Sequence, residues 1–233
     1  MTHAQAAADE EVLRISNDAK ARVHLGPLSR GGKARVAVNA QDHDFVKAED
    51  KVHLDGFYLP DHGQTFFFFL TSPHLTSDAI VDCLEQLWTE TLRPRFPKVK
   101  KLLLDLDNGP ENSSRRTQFM NRIVEFVRKT GITVELAYYP PYHSKYNPIE
   151  RVWGVLEQHW NGSLLDTLDT AVRFAESMTY KGVHPVVQVV KKAYQKGVAL
   201  TKKAMRELER GFERLDGLEK YFVTIPAPTS GEA

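Results

Sequence analysis

The chain has 233 residues, 42% of them hydrophobic and 26% charged, with a formal net charge of +1. This length buries a real core and the composition is that of a globular protein, while the near-neutral balance excludes a polycation and confines any nucleic-acid contact to local patches. The single cysteine, Cys83, excludes an internal disulfide framework and fits a reducing cytosol.

The first residues, "MTHAQAAADEE", carry no apolar run flanked by basic residues, so they do not read as a secretory signal. Residues 11–25 alternate: Leu13 and Ile15 face one way, and Ser16, Asp18 and Lys20 the other, which predicts a strand. "RGG" at 30–32 reads as a turn and "KARVAVNA" as a second strand, the two strands forming a hairpin. "FYLPDHGQTFFFFLTS" reads as a third strand whose beginning is interrupted at Pro60 to Gly63; its "FFFFL" is far too short for a membrane span and predicts a buried strand. Thr76 or Ser77 can cap a helix carrying Ile80, Leu84, Leu87 and Trp88 at helical spacing. A fourth strand at 99–107, a helix ending at Gly131 with Phe119, Ile123, Phe126 and Val127 on one face, and a fifth strand "ITVELAYY" follow. After the rigid loop "PPYHSKYNP", a helix runs from Pro148 to about Trp160, with Ile149, Val152, Leu156 and Trp160 on its core face. Beyond it come a helix near 167–178, an ambiguous "VHPVVQVV" that alternates like a strand, and a charged helix around 201–214.

Strands separated by helices are parallel neighbours joined by right-handed crossovers. The expectation is an α/β sheet, antiparallel on one side and parallel on the other. The chain divides into a tail at 1–10, a core at 11–162, a mostly helical extension at 163–225 packed on the core, and a second tail at 226–233.

Three acids occupy places where chemistry collects. Asp18 lies on the polar face of the first strand, Asp107 ends the fourth, and Glu150 sits in the first turn of the helix after the rigid loop. Reactive groups in open α/β sheets gather at the carboxyl ends of parallel strands. Three converging carboxylates repel one another unless a cation neutralises them, and hard divalent ions accept such oxygen donors. Each acid also has a plainer reading. Asn147-x-x-Glu150 has the spacing of a capping box, with Pro148 at the favoured first position. Asp107 can simply open the Asn-Gly-Pro turn, and Asp18 can be a surface carboxylate paired with Lys20. Asp105, two residues before Asp107, competes for its role. The basic stretches "RPRFPKVKK" at 93–101 and "RGGKAR" at 30–35 fit either DNA contacts or solvated loops, and "DHDF" at 42–45 is a weak metal-binding candidate. No zinc-type cluster, phosphate loop or nucleophile elbow is present in the sequence.

Taken in order, "RISNDAK", "LLLDLDNGPENSSRR" and "YYPPYHSKYNPIERVWGVLEQHWNG" resemble the catalytic segments of DDE transposases, in particular the Rhodopirellula-type insertion-sequence family related to the mariner-like group. The resemblance runs from about residue 12 to 226, through "HDF" and the closing "YFVTIP". It implies a ribonuclease-H-like core, with a mixed five-stranded sheet flanked by helices, and hydrolysis at a transposon end followed by attack of the freed 3′-hydroxyl on target DNA. By position, Asp18, Asp107 and Glu150 fall on the two aspartates and the glutamate that hold two Mg2+ ions, with Mn2+ able to substitute. His143, Lys145, Tyr146 and Arg151 would line the DNA path, and Tyr142 or Tyr146 would stack on an exposed base. Lys20, Asn112, Arg115 and Arg116 complete the expected nucleic-acid contacts. The resemblance further implies a homodimer on DNA in the bacterial cytosol and no membrane contact. Only about ten residues precede the first strand, so a separately encoded N-terminal DNA-binding segment is expected. Two alternatives stay open: a ribonuclease-H-like nuclease that cuts without joining, and an inactive remnant that only binds nucleic acid.

Overall fold

The structure, a computed structural model, describes residues 10–26, 51–140 and 143–228. The expected strand at 33–40, its "RGG" turn, the "RGGKAR" patch, "DHDF" and Tyr142 lie outside the described residues.

Eight strands form one sheet in the order β6-β3-β2-β1-β4-β5-β8-β7. The central five are β1 (Val12–His24), β2 (Lys51–Leu59), β3 (Gln64–Leu70), β4 (Lys101–Leu106) and β5 (Thr133–Tyr138). β1 pairs antiparallel with β2, β2 antiparallel with β3, and β1-β4-β5 run parallel. That order and polarity is the ribonuclease-H-like core. The third strand of the sequence reading is in fact two strands. The interruption at Pro60 to Gly63 is a hairpin turn in which the amides of His62 and Gly63 donate to the Leu59 carbonyl at 3.1 and 2.8 Å.

The first long helix, α1 (Ser77–Leu87), is capped by Thr76, whose side chain accepts from the Ala79 amide, and it continues through a wider turn over Trp88–Leu92. α2 (Thr117–Thr130) ends at Gly131, which takes φ 68°, a left-handed value that glycine adopts without steric cost. Both helices cover one face of the sheet. The other face is covered over β1, β2 and β3 by α3 (Pro148–Trp160) and α4 (Leu168–Ser177). This two-sided cover explains the unbroken "FFFFL". Phe66, Phe68 and Leu70 pack under α1 and α2, while Phe67 and Phe69 pack under α3 and α4, all of them buried.

The C-terminal extension supplies strands as well as helices. β6 (Val186–Val190) joins β3 in parallel, α5 (Lys202–Glu209) tucks Met205 against the core, and β7 (Glu213–Arg214) and β8 (Phe222–Ile225) close the opposite edge against β5. No helix among the described residues is long and apolar enough to cross a membrane.

Candidate active site

β1 and β4 are adjacent and parallel, with Ser16 opposite Asp105, so Asp18, still within β1, stands level with Asp107 just past the carboxyl end of β4. Asp18 is nearly fully buried, opposite Gly56 of β2. Trp153, on α3, donates its indole N–H to Asp18 Oδ2 at 3.0 Å. A side chain at Gly56 would stand in the way: a Cβ there would fall 2.4 and 2.5 Å from Trp153 ring atoms and 2.8 Å from Ile149 Cδ1. The ring itself stacks on Phe67 at 5.0 Å. Asp18 is therefore not a surface carboxylate paired with Lys20. Lys20 instead reaches Glu157 at 2.6 Å, with its ammonium 5.8 Å from the Trp153 ring.

Asp107 lies just past β4, followed by Asn108 in the left-handed region at φ 65°. Its Oδ1 accepts the Gly109 amide and the Asn112 side-chain amide, each at 3.0 Å. The turn-opening role is real, but it occupies one oxygen only. Asn112 was expected on DNA; it is buried, and it holds Asp107 and the Tyr138 hydroxyl, the latter through its carbonyl at 3.0 Å. Asp105 does not compete for the site. It is fully buried and bound to Arg14, whose Nε lies 2.8 Å from Oδ2.

Glu150 stands in the first turn of α3, half-buried. The capping-box reading fails here. Asn147 makes no side-chain cap within its own helix; Ser16 of β1 accepts the Ile149 amide at 3.0 Å instead. Ser16 Oγ donates in turn to Asn147 Oδ1. The Glu150 carboxylate has no hydrogen bond or ion pair among the described residues, so it is left for the site.

The three acids feel one another. Burial, then the charges of Asp107 and Glu150, push the Asp18 carboxyl from an ordinary 3.8 up to about 7, against the Trp153 hydrogen bond. Burial and Asp107 likewise raise Glu150, with Lys20 opposing. On the other face of the sheet, burial drives fully enclosed Asp55 well above the usual carboxylate range, and Asp18 and Asp107 add to it. Among the described residues, no three His, Cys, Asp or Glu side chains stand close enough together to hold a metal ion as they are placed. The donor chemistry nonetheless fits a hard divalent cation. The donors are all oxygen, their ionised forms oppose one another, and beside Asp107 the buried Asn112 Oδ1 has no hydrogen-bond partner.

Around this centre, His143, Lys145, Tyr146 and Arg151 are exposed, on the loop before Glu150 and in the turn that carries it. His143 stacks on Tyr146 at 5.7 Å, and the Lys145 ammonium lies 5.2 Å from the same ring. Arg115 is exposed, whereas Arg116 pairs with Glu111 at 3.3 Å. The basic stretch 93–101 lies at the opposite, N-terminal end of β4. Much of its charge is committed there: Lys98 pairs with Glu10 at 2.9 Å, Lys100 with Glu11 at 2.6 Å and Lys101 with Glu135 at 2.8 Å.

Sequence reasoning missed Gly56, Asp55 and the roles of Ser16, Asn17 and Trp153. One signal was present for Trp153, which follows Glu150 by one helical turn. The others are made by contacts between distant segments.

The sequence matches the family model of the Rhodopirellula transposase DDE domain over residues 2–227. No curated protein matches the chain. Among solved structures it is similar to the Mos1 transposase paired-end complex with left transposon end, at 11% identity and a TM-score of 0.45, covering 71% of this chain and 46% of that one. The chain thus spans less than half the length of that relative.

Proposed function

Because the chain belongs to the family of the Rhodopirellula transposase DDE domain, and is a DDE-type transposase domain, we propose that it cuts DNA at transposon ends and joins the freed 3′-hydroxyl to target DNA. Asp18, Asp107 and Glu150 carry the reaction in this reading. The observation that supports it most is geometric: Asp18 on β1 and Asp107 just past the adjacent parallel β4 stand level, with Glu150 near enough that its charge adds to that of Asp107 and to burial in raising the Asp18 carboxyl. Such an arrangement costs stability unless a cation compensates it, and perturbed acids gathered at a strand end mark functional sites.

Divalent ions held by these acids, two Mg2+ in this reading with Mn2+ as a substitute, would activate the attacking oxygen and stabilise the leaving one. The chain's own residues do the positioning. Trp153 fixes the rotamer of Asp18 through its indole N–H. Gly109 and Asn112 hold Asp107 by one oxygen. Lys145 and Arg151 face solvent beside Glu150, where they would contact backbone phosphates without reading sequence. Tyr146, 56% exposed, offers a ring for a base to stack on. A homodimer on paired ends and a separate end-recognition segment belong to the same proposal.

Plasmid nicking in Mg2+ or Mn2+ tests it. Asp107→Ala and Glu150→Gln are expected to fold normally and to fall to background; full activity in either overturns the assignment. A labelled precut 3′ end incubated with target DNA then distinguishes the outcomes: joined product supports a transposase, and cutting without joining supports a plain nuclease.

A further inference from the structure

Two acids of the proposed site, Asp18 and Glu150, each lie one residue from a buried knot of hydrogen bonds. Ser16 and Asn147 are both fully enclosed. Ser16 Oγ donates to Asn147 Oδ1 and accepts the Ile149 amide at 3.0 Å. Asn147 Nδ2 donates to the Asn17 carbonyl at 3.1 Å. Asn17 is itself held to β2, its side-chain amide donating to Asp55 Oδ1 and to the Gly56 carbonyl, each at 2.9 Å. The backbone on either side of the Asp18–Glu150 gap is thus stitched together through side chains that carry no charge.

We infer that Ser16 and Asn147 are positioning residues that set the distance between the Asp18 and Glu150 carboxylates, and through it the affinity of the acid cluster for a divalent cation. This rests on the reading of those acids proposed above. Burial alone cannot set that distance. Ile149, Val152, Leu156 and Trp160 are fully buried and hold α3 on the sheet, at roughly 1.5–3 kcal/mol for each side chain. That force is non-directional, so it tolerates small slides of the helix along its axis. Metal ligation does not, since donor distances must hold to about 0.2 Å. Hydrogen bonds are directional and supply the missing constraint. The capping pattern points the same way. A helix that needed only a cap would use the side chain of its own Asn147. Here the cap comes from a strand 133 residues away in sequence, and Asn147 is spent on that strand instead.

The test measures Mn2+ binding by titration calorimetry on the full chain, beside circular dichroism to establish folding. Ser16→Ala and Asn147→Ala are expected to weaken Mn2+ binding by about 10–100-fold, with DNA affinity unchanged and with nicking restored at raised Mn2+. Ser16→Thr keeps the hydroxyl and is expected to stay near wild-type affinity. Hydrogen exchange at the Ile149 amide should accelerate in Ser16→Ala. If either alanine variant fails to fold, Ser16→Cys, close in size but a poorer donor and acceptor, is expected to show the same loss. Folded variants that bind Mn2+ as tightly as wild type overturn the inference. Failure of the underlying reading looks different: the wild-type chain binds no Mn2+, or Glu150→Gln binds it unchanged.

Discussion

Asp18 shows how one side chain ties stability to the proposed acid site. Its carboxyl holds a proton more tightly in the folded chain than in the unfolded one, with the folded value near 7 against an ordinary 3.8. Between those values the folded state carries the extra proton, so stability falls as pH rises through that window. The shift corresponds to roughly 4 kcal/mol at most, and the raised Glu150 and Asp55 act in the same direction. Metal-free protein is therefore expected to melt at lower temperature at about pH 8 than at about pH 5. Asp18→Asn should flatten that dependence, and Mn2+ should restore the melting temperature of wild type more than that of the variant. Melts across pH, with and without Mn2+, check all three outcomes. Asp55 has a simpler role. It is enclosed, its Oδ2 has no hydrogen-bond partner, and burial raises its carboxyl well above the usual carboxylate range. Its Oδ1 accepts the Asn17 side-chain amide, on the face of the sheet opposite Asp18.

At the scale of elements, α3 delivers Glu150 and Trp153 together, and β2 makes room for it at one residue. Gly56→Ala places a methyl group within 2.5 Å of the Trp153 ring. Overpacking of this kind costs about 1–3 kcal/mol. Because the displaced ring is the one that holds Asp18, nicking should fall more than stability does. Denaturant melts set beside nicking rates check that split, and equal losses in both would contradict it. The sequence legibly placed this helix: its predicted span, Pro148 to Trp160, matches the observed one, because its apolar positions recur every three or four residues and proline marks its start. What caps it was not legible, since Ser16 is distant in the chain and comes near only through the pairing of β1 with its neighbours.

For the molecule as a whole, the sheet edges decide how much of the chain is needed to fold. β8 pairs with β5, and it buries Val223 and Ile225 in the same core as α1 and α2. Deleting residues from Phe222 onward would bare the edge of β5 and open that core. The truncated chain is expected to lose its cooperative melt and aggregate, and Ile225→Ala alone should cost about 2–4 kcal/mol. Circular dichroism melts and light scattering check both. The closing "YFVTIP" is a core strand. A four-residue run at the end of a chain, here Phe222–Ile225, is too short for periodicity to distinguish from coil. β6 alternated like a strand but stayed ambiguous in the sequence, and only its pairing with β3 made it one.

The sequence alone determined the element order around the parallel strands, the buried character of β3 and β4, and the three acids with their motifs. Those features are written in spacing along the chain, and spacing of two or of three to four residues maps directly onto local backbone geometry. Only the tertiary structure decided what each polar side chain does. It turned Asn147 from a helix cap into a tie to β1, paired Lys20 with Glu157, committed Asp105 to Arg14, and carried the C-terminal strands to both edges of the sheet. Hydrogen bonds and ion pairs join residues that are distant in the chain, and only folding determines which of them meet.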